Sequence, residues 1–114
     1  MDSDSTEKWN HLSRARFDEI LKQEIANLPA DALGIYQTCT SEVLDQPCCR
    51  DAAYGIEHVF VVARDGARLL LFDDAEDEFG IGVADTDGVL RTWDLYGELM
   101  FALRNLKAAR PPQS

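Results

Sequence analysis

The chain has 114 residues, 46% of them hydrophobic, and a net charge of -10 at pH 7. One domain of this size can bury a core without disulfides. The acidic balance argues against direct binding to nucleic acid or to an anionic membrane surface, since both need clustered Lys and Arg. It fits either a charge that only keeps the protein soluble or a basic protein as partner.

The N-terminal segment MDSDSTEKWNHLSR is polar and lacks the apolar core of a signal peptide. No apolar run approaches the ~18 to 20 residues that span a bilayer. Cys39, Cys48 and Cys49 make an odd number of cysteines, which is typical of reduced thiols when no secretion signal is present. These features predict a soluble, cytoplasmic protein.

Apolar residues near the N-terminus recur mostly at spacings of three to five, which is typical of one helix face. They are Trp9, Leu12, Phe17, Ile20, Leu21, Ile25 and Leu28. We predict an amphipathic helix of roughly five turns, capped by Ser5 or Thr6 and ended by Pro29. Residues 1–5 are predicted to be a flexible tail, and a single domain is predicted over 6–110.

The stretch PADALGIYQT fits either a strand or the end of a short helix over residues 35–40, and we favour the strand. Residues 41–55 contain Pro47, the adjacent cysteines and few apolar repeats. This composition predicts a loop.

Two apolar runs joined at Asp65-Gly66 predict a β-hairpin with strands near residues 57–64 and 67–73. Asp-Gly is typical of a type I′ turn, in which both central residues have positive φ. A second turn at residues 85–88 is predicted to join a strand over 79–84 to a strand over 89–92. Glycines alternate with apolar residues in the former, at positions 80 and 82, and suggest a bulge or the close approach of another chain or helix.

The last predicted element is a helix that begins near Trp93, with Thr92 or Asp94 as its cap. Its apolar stripe consists of Leu95, Leu99, Leu103 and Leu106. Pro111 ends it, and residues 111–114 are predicted to be a tail. The order of elements predicts an α+β fold, in which an antiparallel sheet of three to five strands carries an N-terminal and a C-terminal amphipathic helix.

The densest charge in the chain lies between residues 73 and 87, where seven carboxylates occur without a Lys or Arg. They are Asp73, Asp74, Glu76, Asp77, Glu78, Asp85 and Asp87. Three uses are conceivable for such a run: a metal site, a catalytic site, or a surface for a basic partner.

The sequence lacks the motifs that are typical of a metal site or an enzyme active site. An EF-hand loop needs oxygen ligands at alternate positions, a central Gly and a Glu at the twelfth position, and the run has only a fragment of this. The cysteines and His58 lack the C-x₂₋₄-C spacing of zinc sites. Only His11 and His58 could serve a catalytic triad, and no G-x-S-x-G motif is present. The glycines at 80, 82 and 88 are not followed by the Lys-Ser/Thr of a phosphate loop. We predict no metal, no cofactor and no enzyme activity.

Seven neighbouring carboxylates repel one another unless cations offset them. Arg64, Arg68 and Arg91 flank the run, but three cations cannot neutralise seven anions. We therefore predict that the seven carboxylates bind a basic partner, with Phe79 or Tyr54 as an exposed aromatic anchor. The alternative interpretation is a solvated connection between strands.

The run VFVVARDGARLLLFDDAEDEFGIGVADTDGVLRTWDLYGELMFALRNL, within residues 57–106, resembles the immunity proteins of bacterial polymorphic toxin and contact-dependent growth inhibition systems. The resemblance lies in the size of the chain, its acidity and its predicted α+β order of helices and strands. It implies that the protein binds one cognate toxin domain in the cytoplasm, often a basic nuclease, and blocks its active site or the approach of its substrate. The alternative is a small acidic secretion chaperone that binds an extended segment of an exported protein through the first helix and an open sheet edge. The oligomeric state stays open in both cases.

Overall fold

The structure is a computed structural model that describes residues 12–49 and 55–108. The elements in chain order are α1 (Arg14–Ala26), α2 (Ala30–Cys39), β1 (Thr40–Cys48), β2 (Glu57–Asp65), β3 (Arg68–Asp73), β4 (Glu78–Val83), β5 (Trp93–Gly97) and α3 (Leu99–Ala108). The strands form one antiparallel sheet in the order β1-β2-β3-β4-β5. This confirms the predicted α+β class, with a helix from each end of the described chain packed on the sheet.

One face of the sheet packs against the helices, and we call it the helical face. Phe17 of α1 stacks on Phe60 of β2 with ring centroids 4.6 Å apart, and it also contacts Phe72 of β3. Such aromatic pairs add about 0.5–1.5 kcal/mol beyond the burial of their area. The helices contribute further fully buried side chains to this core: Ala32, Leu99, Ala102, Leu103 and Leu106.

The opposite face is covered by a loop, and we call it the loop face. Residues 84–92, the crossing loop, leave β4 and reach the far edge of β1. There the Leu90 N–H donates to the Pro47 carbonyl (3.0 Å), and the Cys49 N–H donates to the Leu90 carbonyl (2.8 Å). The Leu90 side chain packs in a cluster of buried residues from three strands: Cys48, Val59, Val61, Leu69 and Leu71. The central strands β2 and β3 are therefore buried on both faces.

The first helix begins later than predicted. The Ser13 hydroxyl accepts a hydrogen bond from the Arg16 N–H (3.2 Å), which makes Ser13 the cap and Arg14 the first helical residue. The helix ends at Ala26, before Pro29 as expected. Ser5 and Thr6, the caps predicted for this helix, and both predicted tails lie outside the described residues.

The predicted strand over residues 35–40 is wrong, because these residues lie almost entirely in α2. Ala32, Ile35, Tyr36 and Cys39 follow the i, i+3, i+4, i+7 spacing of a helix face and pack in the core. The loop predicted over 41–55 is also wrong for its first half, which forms β1. This strand lies at a sheet edge, where Pro is tolerated, so its own pattern is weak.

The central hairpin is confirmed, but its turn differs from the predicted type I′. Asp65 pairs with Arg68, so the two loop residues are Gly66 and Ala67. Gly66 has φ +64°, whereas Ala67 has no positive φ. A positive φ at the first central position alone is typical of a type II′ turn, which favours Gly there.

The predicted boundary between the last strand and the C-terminal helix is also wrong. Residues 89–92 belong to the crossing loop instead of a strand, and residues 93–97 form β5 instead of the start of a helix. Gly97, with φ +82°, separates β5 from α3. The stripe from Leu95 to Leu106 has helical spacing, but β4 offers an edge to which residues 93–97 bind.

The glycines of β4 permit this pairing, as the sequence suggested. The register between β4 and β5 shifts between Phe79 and Gly80, which marks a bulge or irregularity. A Cβ atom built on Gly80 would lie 2.5 Å from the Asp94 carbonyl oxygen, and one built on Gly82 would lie 2.9 Å from that of Thr92. The backbone of β5 thus approaches β4 more closely than a side chain allows.

Gly80→Ala should destabilise the protein by about 1–3 kcal/mol, because the added methyl group meets a backbone oxygen that cannot move without displacing β5. Urea unfolding followed by circular dichroism measures this. Gly34→Ala in α2 is the matched control, since a Cβ there meets nothing and alanine favours a helix by about 0.5–1 kcal/mol. A Gly80→Ala protein as stable as the wild type would contradict the close approach.

Candidate interaction surface

Asp73, predicted to bind a partner, lies inside the protein with only 4% of its surface exposed. One carboxylate oxygen accepts hydrogen bonds from the N–H groups of Ala75 (3.0 Å) and Glu76 (3.2 Å). The other accepts from the Trp93 indole Nε1 (2.9 Å). A buried carboxylate is stable when donors surround it in this way. Asp73 therefore joins the turn after β3 to the start of β5.

Phe79, predicted to be an exposed anchor, is buried at 2% exposure on the helical face. Its ring lies 4.9 Å from that of Phe72, measured between centroids. The prediction of an exposed Phe79 is wrong, because the residue belongs to the core. Tyr54 lies outside the described residues.

Asp74 is half-buried and holds the start of the first helix. Its Oδ2 accepts a hydrogen bond from the Leu12 N–H (2.8 Å), 62 residues away in sequence. The carboxylate lies near the positive end of α1, where negative charge is favourable.

Asp85 and Asp87 pair with Arg91 at the surface. The guanidinium lies 2.9 Å from an oxygen of Asp85 and 3.0 Å from an oxygen of Asp87. The side-chain hydrogen bond from Arg91 holds the pKa of the Asp87 carboxyl below its usual range, and the Val89 N–H contributes to the same shift. One of the flanking arginines thus offsets two of the seven carboxylates and closes the turn of the crossing loop.

Glu76, Asp77 and Glu78 differ from the other carboxylates. Glu76 and Asp77 lie in the β3–β4 turn and Glu78 is the first residue of β4, and no ion pair or side-chain hydrogen bond joins their carboxylates to any residue within 12–49 or 55–108. Asp77 has φ +63°, a left-handed conformation that Asp adopts more readily than most residues. Its N–H donates to the Asp73 carbonyl (2.7 Å), which closes the turn.

The structure adds two carboxylates that the sequence analysis missed. Gly97 pairs with Phe79, so Glu98 lies at the same end of the sheet as Glu78, and Asp94 lies opposite Ile81. Both are exposed. They were missed because residues 93–98 were assigned to a helix. We call the set formed by the turn and β5 the acidic edge: Glu76, Asp77, Glu78, Asp94 and Glu98.

An open cleft of about 370 Å³ lies between the β3–β4 turn and the start of β5. Trp93 and Leu95 give it an apolar wall, and Glu76 and Arg91 contribute opposite charges. It is lined by these four residues together with Asp73, Ala75 and Thr92. The cleft thus places the apolar side chains of Trp93 and Leu95 beside the carboxylate of Glu76.

Nowhere in the described ranges do three or more His, Cys, Asp and Glu residues form a group that could hold a metal ion. No helix among the described residues is long and apolar enough to cross a bilayer. Cys39 and Cys48 are buried thiols, and Cys49 is half-buried.

Comparisons of the chain with protein-family models, with curated protein sequences and with solved structures found no match in any of the three. The function must therefore be argued from the sequence and from the arrangement of the acidic edge.

Asp73→Asn should lower the free energy of unfolding by about 1–3 kcal/mol, because an amide NH₂ cannot accept the Trp93 N–H or replace the anionic acceptor. Asp77→Asn is the matched control: it makes the same chemical change at an exposed turn position that tolerates Asn, and we expect a change within about 0.5 kcal/mol. Urea denaturation of both variants measures the difference. Equal losses would contradict a structural role specific to Asp73.

The Asp87 carboxyl should titrate below the ordinary 3.8, because Arg91 stabilises its ionised form. A pKa lowered by folding stabilises the protein above the unfolded pKa, and this contribution is lost as the pH falls through the folded pKa. NMR titration should place the Asp87 midpoint below 3.8, and Arg91→Gln should return it toward that value. Asp31, whose pKa is lowered by Arg104, is the internal control and should not change. An Asp87 midpoint unaffected by Arg91→Gln would contradict the pairing.

Proposed function

We propose that the protein is an immunity protein that binds a cognate, basic toxin domain in the bacterial cytoplasm and blocks its action. The observation that carries this proposal is the acidic edge. Its five carboxylates are exposed or half-buried in the β3–β4 turn, at the start of β4, and on or directly after β5, and no cation of the described chain is paired with them.

Like charges held close together destabilise a folded chain. The unneutralised carboxylates of the acidic edge therefore favour a role in binding a cationic partner. The other acidic residues of the 73–87 run serve the fold: Asp73 binds Trp93, Asp74 binds the Leu12 N–H, and two more bind Arg91. The acidic edge serves no such internal purpose among the described residues. Lys or Arg side chains on another protein would relieve its repulsion and speed the encounter.

Blocking a nuclease in this way needs no chemistry from the inhibitor. A nuclease holds the phosphates of its substrate with Lys and Arg, and carboxylates placed against the same cations exclude the phosphates. The sheet keeps Glu78 and Asp94 on paired strands, so little conformational freedom is lost when these carboxylates meet the toxin. We therefore expect inhibition by occupancy, at a ratio of one inhibitor to one toxin.

Capture of the full chain's partners from its native cytoplasm, at low and at high salt, tests the proposal when each captured protein is then assayed for activity with and without inhibitor. A basic catalytic domain that loses activity on binding supports the proposal. Recovery of an exported protein bound through an unfolded leader would support the secretion chaperone instead.

Charge reversal measures the contribution of the acidic edge. Asp77→Lys with Glu78→Lys should slow association with the captured toxin domain about tenfold or more at low salt, and should weaken the dependence of the rate on salt. Asp18→Lys with Glu19→Lys on α1 makes the same change in net charge on another exposed surface and should have a smaller effect. Stopped-flow fluorescence gives both rates, and equal rates for the two double variants would contradict a role for the acidic edge.

A further inference from the structure

Phe101 is the one Phe, Tyr or Trp side chain of the described residues that is exposed. It is 45% exposed, whereas the other four Phe side chains are buried in the core on the helical face. The core positions of α3 are Leu99, Ala102, Leu103 and Leu106. At about 100° per residue, Phe101 lies on the opposite side of the helix from them. Its ring therefore projects from the surface of the protein at the first turn of α3.

Glu98 places a carboxylate one helical turn from Phe101. The Phe101 N–H donates to the Glu98 carbonyl (3.1 Å), so the two residues span the first turn of α3. Residues three apart at the start of a helix are neighbours on its surface. Glu98 is exposed and belongs to the acidic edge, and its carboxylate makes no ion pair or side-chain hydrogen bond within residues 12–49 or 55–108. The acidic edge thus continues into an exposed aromatic ring.

Other residues already satisfy the charges around this turn. The carboxylate of Glu24 accepts a hydrogen bond from the Leu99 N–H (3.1 Å) and lies at the positive end of α3, so the helix does not require the Glu98 carboxylate. Arg104, on the next turn, binds Asp31 through two hydrogen bonds (2.9 and 3.0 Å). Arg104 is therefore held by a carboxylate of α2 and does not neutralise Glu98.

An arginine side chain is the protein cation best suited to an aromatic ring beside a carboxylate. Its planar guanidinium stacks on an aromatic face, and its N–H groups form paired hydrogen bonds to a carboxylate. The ammonium of lysine is a compact, strongly hydrated charge that cannot form this planar contact. The net charge of -10 and the carboxylates of the acidic edge favour the approach of such a cation.

We propose that Phe101 is the aromatic anchor of the interface with the basic partner, and that it binds an arginine of that partner whose guanidinium stacks on the ring and pairs with Glu98. This rests on the proposed function and assigns the residue type that the surface recognises. Interface energy concentrates in a few large side chains that lose water on binding, and Arg and aromatic residues are frequent among them. A second copy of this chain is a poor occupant, because it would bring two acidic edges together.

Short peptides test the proposal on the full chain. The protein is titrated with a peptide that carries two arginines between glycines, and with matched peptides that carry lysine or the neutral analogue citrulline instead. NMR follows the ring signals of Phe101 and the amide signal of Glu98. We expect the arginine peptide to shift both signals, the lysine peptide to bind about twofold or more weakly, and the citrulline peptide to leave both unchanged. No shift at Phe101, or equal effects of the arginine and lysine peptides, would overturn the proposal.

Two variants separate the ring from the charge. Phe101→Leu keeps an apolar side chain and removes the ring, and Glu98→Gln removes the charge. Each should weaken binding of the arginine peptide about threefold. Leu44→Ala, at a side chain that is 40% exposed on β1, and Glu19→Gln, at an exposed position of α1, are the matched controls and should change binding less. If Phe101→Leu does not fold by circular dichroism, Glu98→Gln and the ring signals of the wild type carry the test. Equal weakening by the test and control variants would contradict a site at Phe101.

The variants also separate this inference from the proposed function. A captured toxin domain that is inhibited equally well by the wild type and by Phe101→Leu overturns the anchor and leaves the inhibitor function intact. Binding of the arginine peptide at Phe101 by a protein that inhibits no captured toxin supports the arginine site and overturns the function. Phe101 ring signals that shift with protein concentration in the absence of peptide would show self-association and overturn the choice of occupant.

Discussion

The central strands β2 and β3 are apolar on both faces, and the rest of the structure follows from the need to cover both. The burial pattern includes five consecutive buried residues in each strand, which a sheet with one solvated face does not show. The three helices cover the helical face. The loop face is covered instead by an irregular loop, which must satisfy its own backbone hydrogen bonds as it crosses. The crossing loop does so at Pro47 and Cys49 through Leu90, and at Gln46, whose amide donates to the Gly88 carbonyl (2.7 Å).

The crossing loop that covers the loop face is held in place by acidic residues of the 73–87 run. A loop that crosses a sheet needs fixed ends, and Asp73 fixes the returning end by binding the Trp93 indole. Arg91 with its two carboxylates closes the turn of the loop at the surface. Asp73, Asp85 and Asp87 are thus engaged in closing the loop face, whereas Glu76, Asp77 and Glu78 take no part in it.

The sequence predicts the parts of this fold that depend on local pattern. Strands β2, β3 and β4 follow from apolar runs and turn residues, and the glycines at 80 and 82 correctly indicate a bulge or a close approach. The α2 helix was predictable from the spacing of Ala32 and Cys39. The parts that depend on distant partners were not predictable. β1 is a strand because β2 pairs with it, and β5 is a strand because β4 has a free edge. The burial of Asp73 depends on an indole 20 residues away in sequence, and no local signal reports it.

The crossing loop also covers part of one edge of the sheet. By pairing with the end of β1, Leu90 closes part of that edge with the same residue that fills the loop face. β5, at the other end of the sheet, is fixed by β4 and by the Asp73–Trp93 hydrogen bond at its start. One residue of the crossing loop and one buried carboxylate thus determine how the two outer strands of the sheet are held.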